Sequence, residues 1–299
     1  MSADQNSDDS GSANQMTRFD DIYTQRDPRS YFRVLGALDY QTPHHAQGVF
    51  RRLLSFVGLA EDPDRSAVQH GESPGTVLDI CCSYGINAAL LNHYVTYEEL
   101  HARYTSPHAA DLTVAELIEW DRKYYAACRR PDAVPVVGLD IAAPATAYGR
   151  AVGLLDVAFT ENLEADSPSP ALYRATRDTR LITVTGGASF LSARTFQPLL
   201  EGIQEPPWVA AFVLRTGSYQ KIAEGLARFG MVTEKDTSRT YPQRRFTGAD
   251  EQRYAIAAVS AAGDDPDGKE THGHFHTALH LTRPAAQAVA HPLPALLQT

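Results

Sequence analysis

Cysteine is scarce, with three among 299 residues, at positions 81, 82 and 128. An odd count with two immediate neighbours builds no disulfide framework, and a reducing cytoplasm is the expected setting. No apolar run approaches the roughly 18 residues that a membrane span requires, so no membrane partner is expected. The opening MSADQNSDDSGSANQ lacks the basic and apolar regions of a secretion signal. Positive charge is short: 27 Lys and Arg face 36 Asp and Glu, a formal net charge of −9, which argues against nucleic acid as a partner. The phosphate-cradling pattern G-x-x-x-x-G-K-S/T is missing as well. What remains, 43% hydrophobic and 21% charged residues, is ordinary globular protein.

The chain divides by composition. Residues 1–17 read as a disordered tail and 18–70 as an N-terminal helical cap. In the cap, Ala46, Val49, Phe50, Leu53, Leu54 and Val57 recur at helical spacing. Glu61 to Gly75 reads as a polar loop. From Thr76 onward short apolar runs alternate with helical ones. Strands are predicted at Thr76–Cys81, Pro135–Ile141, Asp156–Thr160, Thr179–Thr185, Trp208–Arg215, Met231–Thr237 and Arg253–Ser260. This alternation predicts an α/β fold: a seven-stranded, mostly parallel, doubly wound sheet with an antiparallel C-terminal hairpin. The Rossmann-like domain is bounded at 71–283, FHTALHL within it is a further edge strand, and 284–299, rich in Ala and Pro, reads as a loose tail.

Ligands in such sheets bind beyond the carboxyl ends of the strands. Polar residues at those ends are Asp79, Cys81, Ser83 and Gly85 after the first strand, and Asp140 after the second. Glu161 and Asn162 follow the third, Thr185, Gly186, Gly187 and Ser189 the fourth, Arg215 and Thr216 the fifth. Asp140 suits a bidentate contact to ribose hydroxyls, and equally a helix N-cap, since Pro144 follows. The stretch TVLDICCSYGIN, residues 76–87, is a strand, tight turn and helix whose first N–H groups face the ligand.

In this order of acid and turn, acid, Glu-Asn and Gly-Gly, residues 71–262 resemble the class I S-adenosylmethionine (SAM)-dependent methyltransferases. That family's first motif is an acid followed by three alternating glycines, and here those positions are Cys81, Ser83 and Gly85. The resemblance implies a SAM site of Asp79, Cys81, Cys82, Ser83, Gly85, Asp140, Ile141, Glu161, Asn162, Thr185 and Gly186. Asp140 would hold the ribose, and Asn162, where the family has an acid, would face the adenine amine. A dinucleotide-binding protein would need G-x-G-x-x-G and an acid about 20 residues on, and neither fits.

Aromatic faces stabilise a sulfonium cation, and Tyr31, Tyr40, Tyr84 and Tyr94 are wall candidates, the first three taken as the catalytic set. The expected activity is methyl transfer to a small molecule. Two alternatives are carried. One is closure of SAM's own amine on its γ-carbon, giving azetidine-2-carboxylate and methylthioadenosine. The other is a non-catalytic SAM-binding module. His44, His45 and His93 are weak candidates for a general base. His272, His274, His276 and His280 read as an exposed histidine-rich edge, and no metal is expected. Arg244 and Arg245 are weighed as a substrate-carboxylate site against a solvated hairpin loop. A homodimer is compatible with the sequence.

Overall fold

The computed structural model describes residues 16–59 and 75–297. The expected tail up to residue 15 and most of the polar loop before Thr76 lie outside the described residues.

A 3₁₀ turn at Asp20–Ile22 leads to α1 (Arg29–Ala37) and α2 (Thr42–Phe56). Next come β1 (Thr76–Ile80), α3 (Ile86–Asn92), α4 (Tyr97–Tyr104), α5 (Pro107–Asp111), α6 (Val114–Cys128) and β2 (Val136–Leu139). The middle of the chain gives α7 (Ala143–Ala151), β3 (Val157–Phe159), α8 (Pro170–Thr176), β4 (Thr179–Thr185), α9 (Ala193–Gly202) and β5 (Trp208–Leu214). It closes with α10 (Gln220–Ala227), β6 (Met231–Lys235), β7 (Tyr241–Arg245), α11 (Ala249–Ala261), β8 (His274–Pro284), α12 (Ala285–Ala290) and α13 (Leu293–Leu297).

The sheet is mixed and mostly parallel, in the order β3-β2-β1-β4-β5-β8-β6, with β7 also paired to β8. β1 pairs in parallel with both β2 and β4, so the winding direction reverses there. That reversal opens a crevice at the carboxyl ends of β1 and β4, where ligands of open α/β sheets sit.

Core packing explains why the strands read as continuous apolar runs. On β5, Trp208, Ala210 and Phe212 enter one core, while Val209, Ala211 and Val213 enter the other. Helices cover both faces, and each fully buried Leu, Val or Phe contributes about 1.5–3 kcal/mol. In the segment between β1 and β2, α4 and α6 each start at a capping box, Thr96 with Glu99 and Thr113 with Glu116.

Four sequence expectations are corrected. The sheet has eight strands rather than seven. Arg253–Ser260, predicted as a strand, lies in α11, because Glu251, Ala255 and Val259 bury one face at a spacing of four. The reversed strand is instead β8, which contains FHTALHL and lies between β5 and β6 rather than at an edge. The tail from 284 is not loose: it forms α12 and α13, and Leu293, Leu296 and Leu297 are buried, with α13 against α2.

Candidate functional site

β1 carries Asp79 into the crevice between Gly138 of β2 and Thr183 of β4. The acid is 1% exposed. Its Oδ1 accepts from Thr183 Oγ at 2.7 Å and Asn87 Nδ2 at 3.0 Å, and Oδ2 is buried without a partner. Burial, against the pull of those two donors, pushes the carboxyl up to about 7. Asn87 also donates to Thr185 Oγ at 2.8 Å, tying α3 to the end of β4.

After Asp79 the backbone coils tightly. Cys81, Ser83 and Gly85 all have positive φ, at 59°, 50° and 80°. Glycine adopts that region freely, whereas cysteine and serine are strained there. The turn is fixed from behind: Cys81 N–H donates to Leu139 O at 2.8 Å, and Gly85 N–H to Cys82 O at 2.9 Å. The Cys81 side chain lies against Gly187, where any side chain would collide with the thiol. The Cys82 side chain belongs to the core beside Gly138, leaving only its backbone for a ligand. Ser83 Oγ is buried and unpartnered.

Asp140 closes β2 directly over this turn. Its Oδ2 accepts from Ser83 N–H at 2.8 Å and its Oδ1 from Ala142 N–H at 2.9 Å. The residue therefore holds the turn and also the approach to α7, whose N-cap is Ala142 rather than Asp140. Each oxygen keeps a further lone pair for a ligand. Ile141 beside it is 69% exposed. Asn162 is exposed, its Oδ1 accepting from Glu164 N–H. Glu161 is occupied elsewhere: Ser169 N–H and Oγ donate to it at 2.8 and 2.7 Å, at the cap of α8.

Tyrosines enclose the turn. Tyr31 packs edge-on against Tyr23, Tyr40 and Tyr84 at centroid distances of 6.1, 6.2 and 6.2 Å. A methyl group on Gly186 would lie 2.9 Å from the Tyr40 hydroxyl, which places that hydroxyl at the end of β4. Burial pushes Tyr40 up to about 12. Burial, then Tyr40, Asp140, Tyr97 and Cys81 in turn, raises Tyr23. The Tyr97 hydroxyl is buried without a partner. These hydroxyls stay neutral, so they act as hydrogen-bond donors.

The Tyr84 ring joins this set at Tyr31, but its hydroxyl is committed to the backbone of the N-terminal segment. It is fully buried, and its hydroxyl donates to the carbonyls of Ile22 at 2.7 Å and Gln25 at 2.9 Å. Tyr94 is 60% exposed and stacks on Arg130, outside the cluster. Tyr23, Tyr97, Asn87 and Thr183 were not among the sequence candidates. Tyr97 follows the Thr96–Glu99 cap in the segment between β1 and β2, a signal for a helix but not for the face that tyrosine takes.

The histidines are dispersed. His274 lies 3.4 Å from Asp39, His276 bonds Thr240 at 3.0 Å, and His280 packs on Tyr219 at 4.9 Å. These three sit on the interior strand β8, correcting the exposed edge read from sequence, whereas His272 lies exposed in the 3₁₀ turn before it. Among the described residues no group of His, Cys, Asp and Glu is placed to hold a metal. Arg244 is committed to Glu251 through bonds of 2.9 and 2.7 Å, and Arg245 to the Ala37 carbonyl. No helix among the described residues is long and apolar enough to cross a membrane.

No family model and no curated protein matches the chain. Among solved structures it is similar to the plantazolicin methyltransferase BpumL, solved with a triazolic desmethylPZN analog and SAH. Identity there is 10% and the TM-score 0.38, over 89% of this chain and 98% of that one. It is similar to magnesium protoporphyrin IX methyltransferase from Synechocystis PCC 6803 with bound SAH, at 9% identity and TM-score 0.37, over 80% and 83%. An O-methyltransferase from Brevibacillus brevis with S-adenosyl-L-homocysteine shares 13% identity at TM-score 0.36, over 80% and 72%. Likeness this distant carries no functional weight.

Proposed function

We propose that this protein is a SAM-dependent methyltransferase acting on a small molecule. One observation carries the reading. The turn after β1 adopts positive φ at Cys81, Ser83 and Gly85, two of them non-glycine, beneath a carboxylate that closes β2. Strain of this kind persists only where the surroundings over-determine it, and it collects at ligand sites.

The residues fit the cofactor. Asp140 would take the ribose hydroxyls on its remaining lone pairs, beside the exposed Ile141 and the Asn162 amide for the adenine. The backbone of 81–85 would lie along the methionine arm. Ser83 Oγ, Asp79 Oδ2 and Tyr97 OH, buried and unpartnered, supply the polar contacts such a ligand needs. When bound, SAM supplies a methyl group activated by its sulfonium. The faces of Tyr23, Tyr31 and Tyr40 would stabilise that cation and exclude water from it. Isothermal titration with SAM and with S-adenosylhomocysteine tests the reading, which fails if neither binds.

The tyrosine enclosure favours a second reading, with SAM as the sole substrate. Its α-amine would form a bond to Cγ as the Cγ–S bond breaks. Methylthioadenosine would leave as a neutral thioether and one amine proton would pass to solvent. Incubation with SAM alone decides the matter: azetidine-2-carboxylate with equimolar methylthioadenosine supports cyclisation, and their absence excludes it.

A further inference from the structure

We propose that Tyr23 is a ligand-facing residue of this site, and that Tyr84 is the positioning residue that holds it there by latching residues 17–28 onto the cofactor turn. The inference rests on the SAM reading above.

Residues 17–28 cross the site as a strap anchored at both ends. At one end Thr17 N–H donates to Glu251 at 2.9 Å, and the Phe19 ring lies 5.2 Å from the Arg244 guanidinium. At the other, Asp27 accepts from Arg29, whose guanidinium also donates to the carbonyls of Ala109 and Leu112 at 2.9 and 2.8 Å. Between these anchors the strap turns its polar residues out: Thr24, Gln25 and Arg26 are exposed, while Tyr23 packs inward on Tyr31.

Tyr84 joins the strap to the turn. The Tyr84 side chain leaves the turn between Ser83 and Gly85, both at positive φ. Its hydroxyl bonds the carbonyls of Ile22 and Gln25, on either side of Tyr23. The ring packs against Tyr31 and Tyr148, at 6.2 and 6.0 Å. One hydroxyl proton serves two carbonyls, so the latch is worth about one hydrogen bond. A change in the turn when a ligand binds is thereby transmitted to the strap, and opening the strap withdraws Tyr23. This also explains why a large ring occupies a turn that small residues would fill.

The experiment measures S-adenosylhomocysteine dissociation, and hydrogen exchange across residues 17–28, in the full chain. In wild type the ligand should bind and slow exchange in the strap. Tyr84→Phe keeps the ring and loses the hydroxyl. It should still bind, release ligand about tenfold faster, the scale of one hydrogen bond, and lose the slowing of strap exchange. Tyr23→Leu leaves the latch in place. It should weaken binding several-fold while ligand-free strap exchange stays at the wild-type rate, and it carries the test alone if Tyr84→Phe does not fold. A Tyr84→Phe protein that melts earlier but keeps wild-type dissociation and strap protection overturns the latch. Unchanged affinity in Tyr23→Leu overturns the ligand-facing role. Wild type that does not bind at all removes the SAM reading and the inference with it.

Discussion

The two ends of the sheet treat buried charge in opposite ways. Around β1, β2 and β4, Asp79 Oδ2, Ser83 Oγ and Tyr97 OH are buried without partners, and the backbone is strained. Around β7, β8 and α11, the buried charges are matched: Arg215 with Glu270 at 2.6 Å, Arg244 with Glu251, and Arg283 with Glu234. Unpartnered polar atoms occur at this end too, among them Tyr219 OH, Tyr241 OH and Gln243 Oε1, but each of its buried arginines has its anion. A buried carboxyl outside any ion pair, beside a strained turn, is a standing cost that a ligand can relieve, whereas a matched ion pair is complete in itself. The first end is therefore read as a site and the second as scaffold.

The largest expected effect breaks the scaffold. Burial opposes its charge, yet the Arg244 guanidinium and the N–H groups of Thr247 and Thr17 hold Glu251 down at about 2. Glu251→Leu strands a fully buried Arg244 and should cost about 3–5 kcal/mol in urea unfolding. Adding Arg244→Met should recover much of that loss, because the uncompensated charge is gone. A loss below about 1 kcal/mol in the single variant would erase the distinction between the two ends.

Next is the site. Asp140→Ala removes the carboxylate that closes β2 and, on the SAM proposal, should weaken S-adenosylhomocysteine binding by about 1.5–3 kcal/mol, or roughly ten- to a hundredfold in Kd. Titration calorimetry reads this directly. Unchanged affinity would move the ribose elsewhere. In Ser83→Gly the change should go the other way: relieving positive φ at a non-glycine residue should raise stability by about 1 kcal/mol, seen as a higher urea midpoint.

The same contrast marks what could be read from the chain. The parallel half of the sheet was legible because β4 and β5 are buried almost end to end and so carry apolar and β-branched residues at successive positions. β8 was legible as a strand but not as an interior one, because its histidines imitate a polar edge while Phe275, Thr277 and Leu279 carry the burial. α11 was misread because RYAIAAVS is apolar enough for a strand, and only the spacing of Glu251, Ala255 and Val259 marks a helix. In the site, Asp79, Ser83 and Asp140 follow from strand ends. Tyr84 stands out as an aromatic wall candidate, but its direction is invisible in the sequence, since the carbonyls it binds lie about 60 residues upstream. Tyr23 and Tyr97 come together only through tertiary packing, which no local spacing records.

The smallest expected effect separates the two ends by pH. Asp79 is raised from 3.8 to about 7 by burial, so the folded protein keeps a proton that the unfolded chain gives up. Its contribution is complete below pH 3.8 and is lost as pH rises through 7. His276 and His280 run the opposite way. Burial first, with Arg215 beside His276 and Lys235 beside His280, lowers both from 6.5 to about 4. Their contribution is present above 6.5 and is lost as pH falls through 4. Asp79→Asn keeps the shape and the Thr183 and Asn87 bonds but cannot ionise. Relative to wild type it should gain about 1 kcal/mol or more between pH 4.5 and pH 8 in urea unfolding, while the acid-side loss from β8 persists. A parallel pair of stability curves would mean that the Asp79 carboxyl titrates alike in the folded and unfolded chains, and that the site end carries no buried proton.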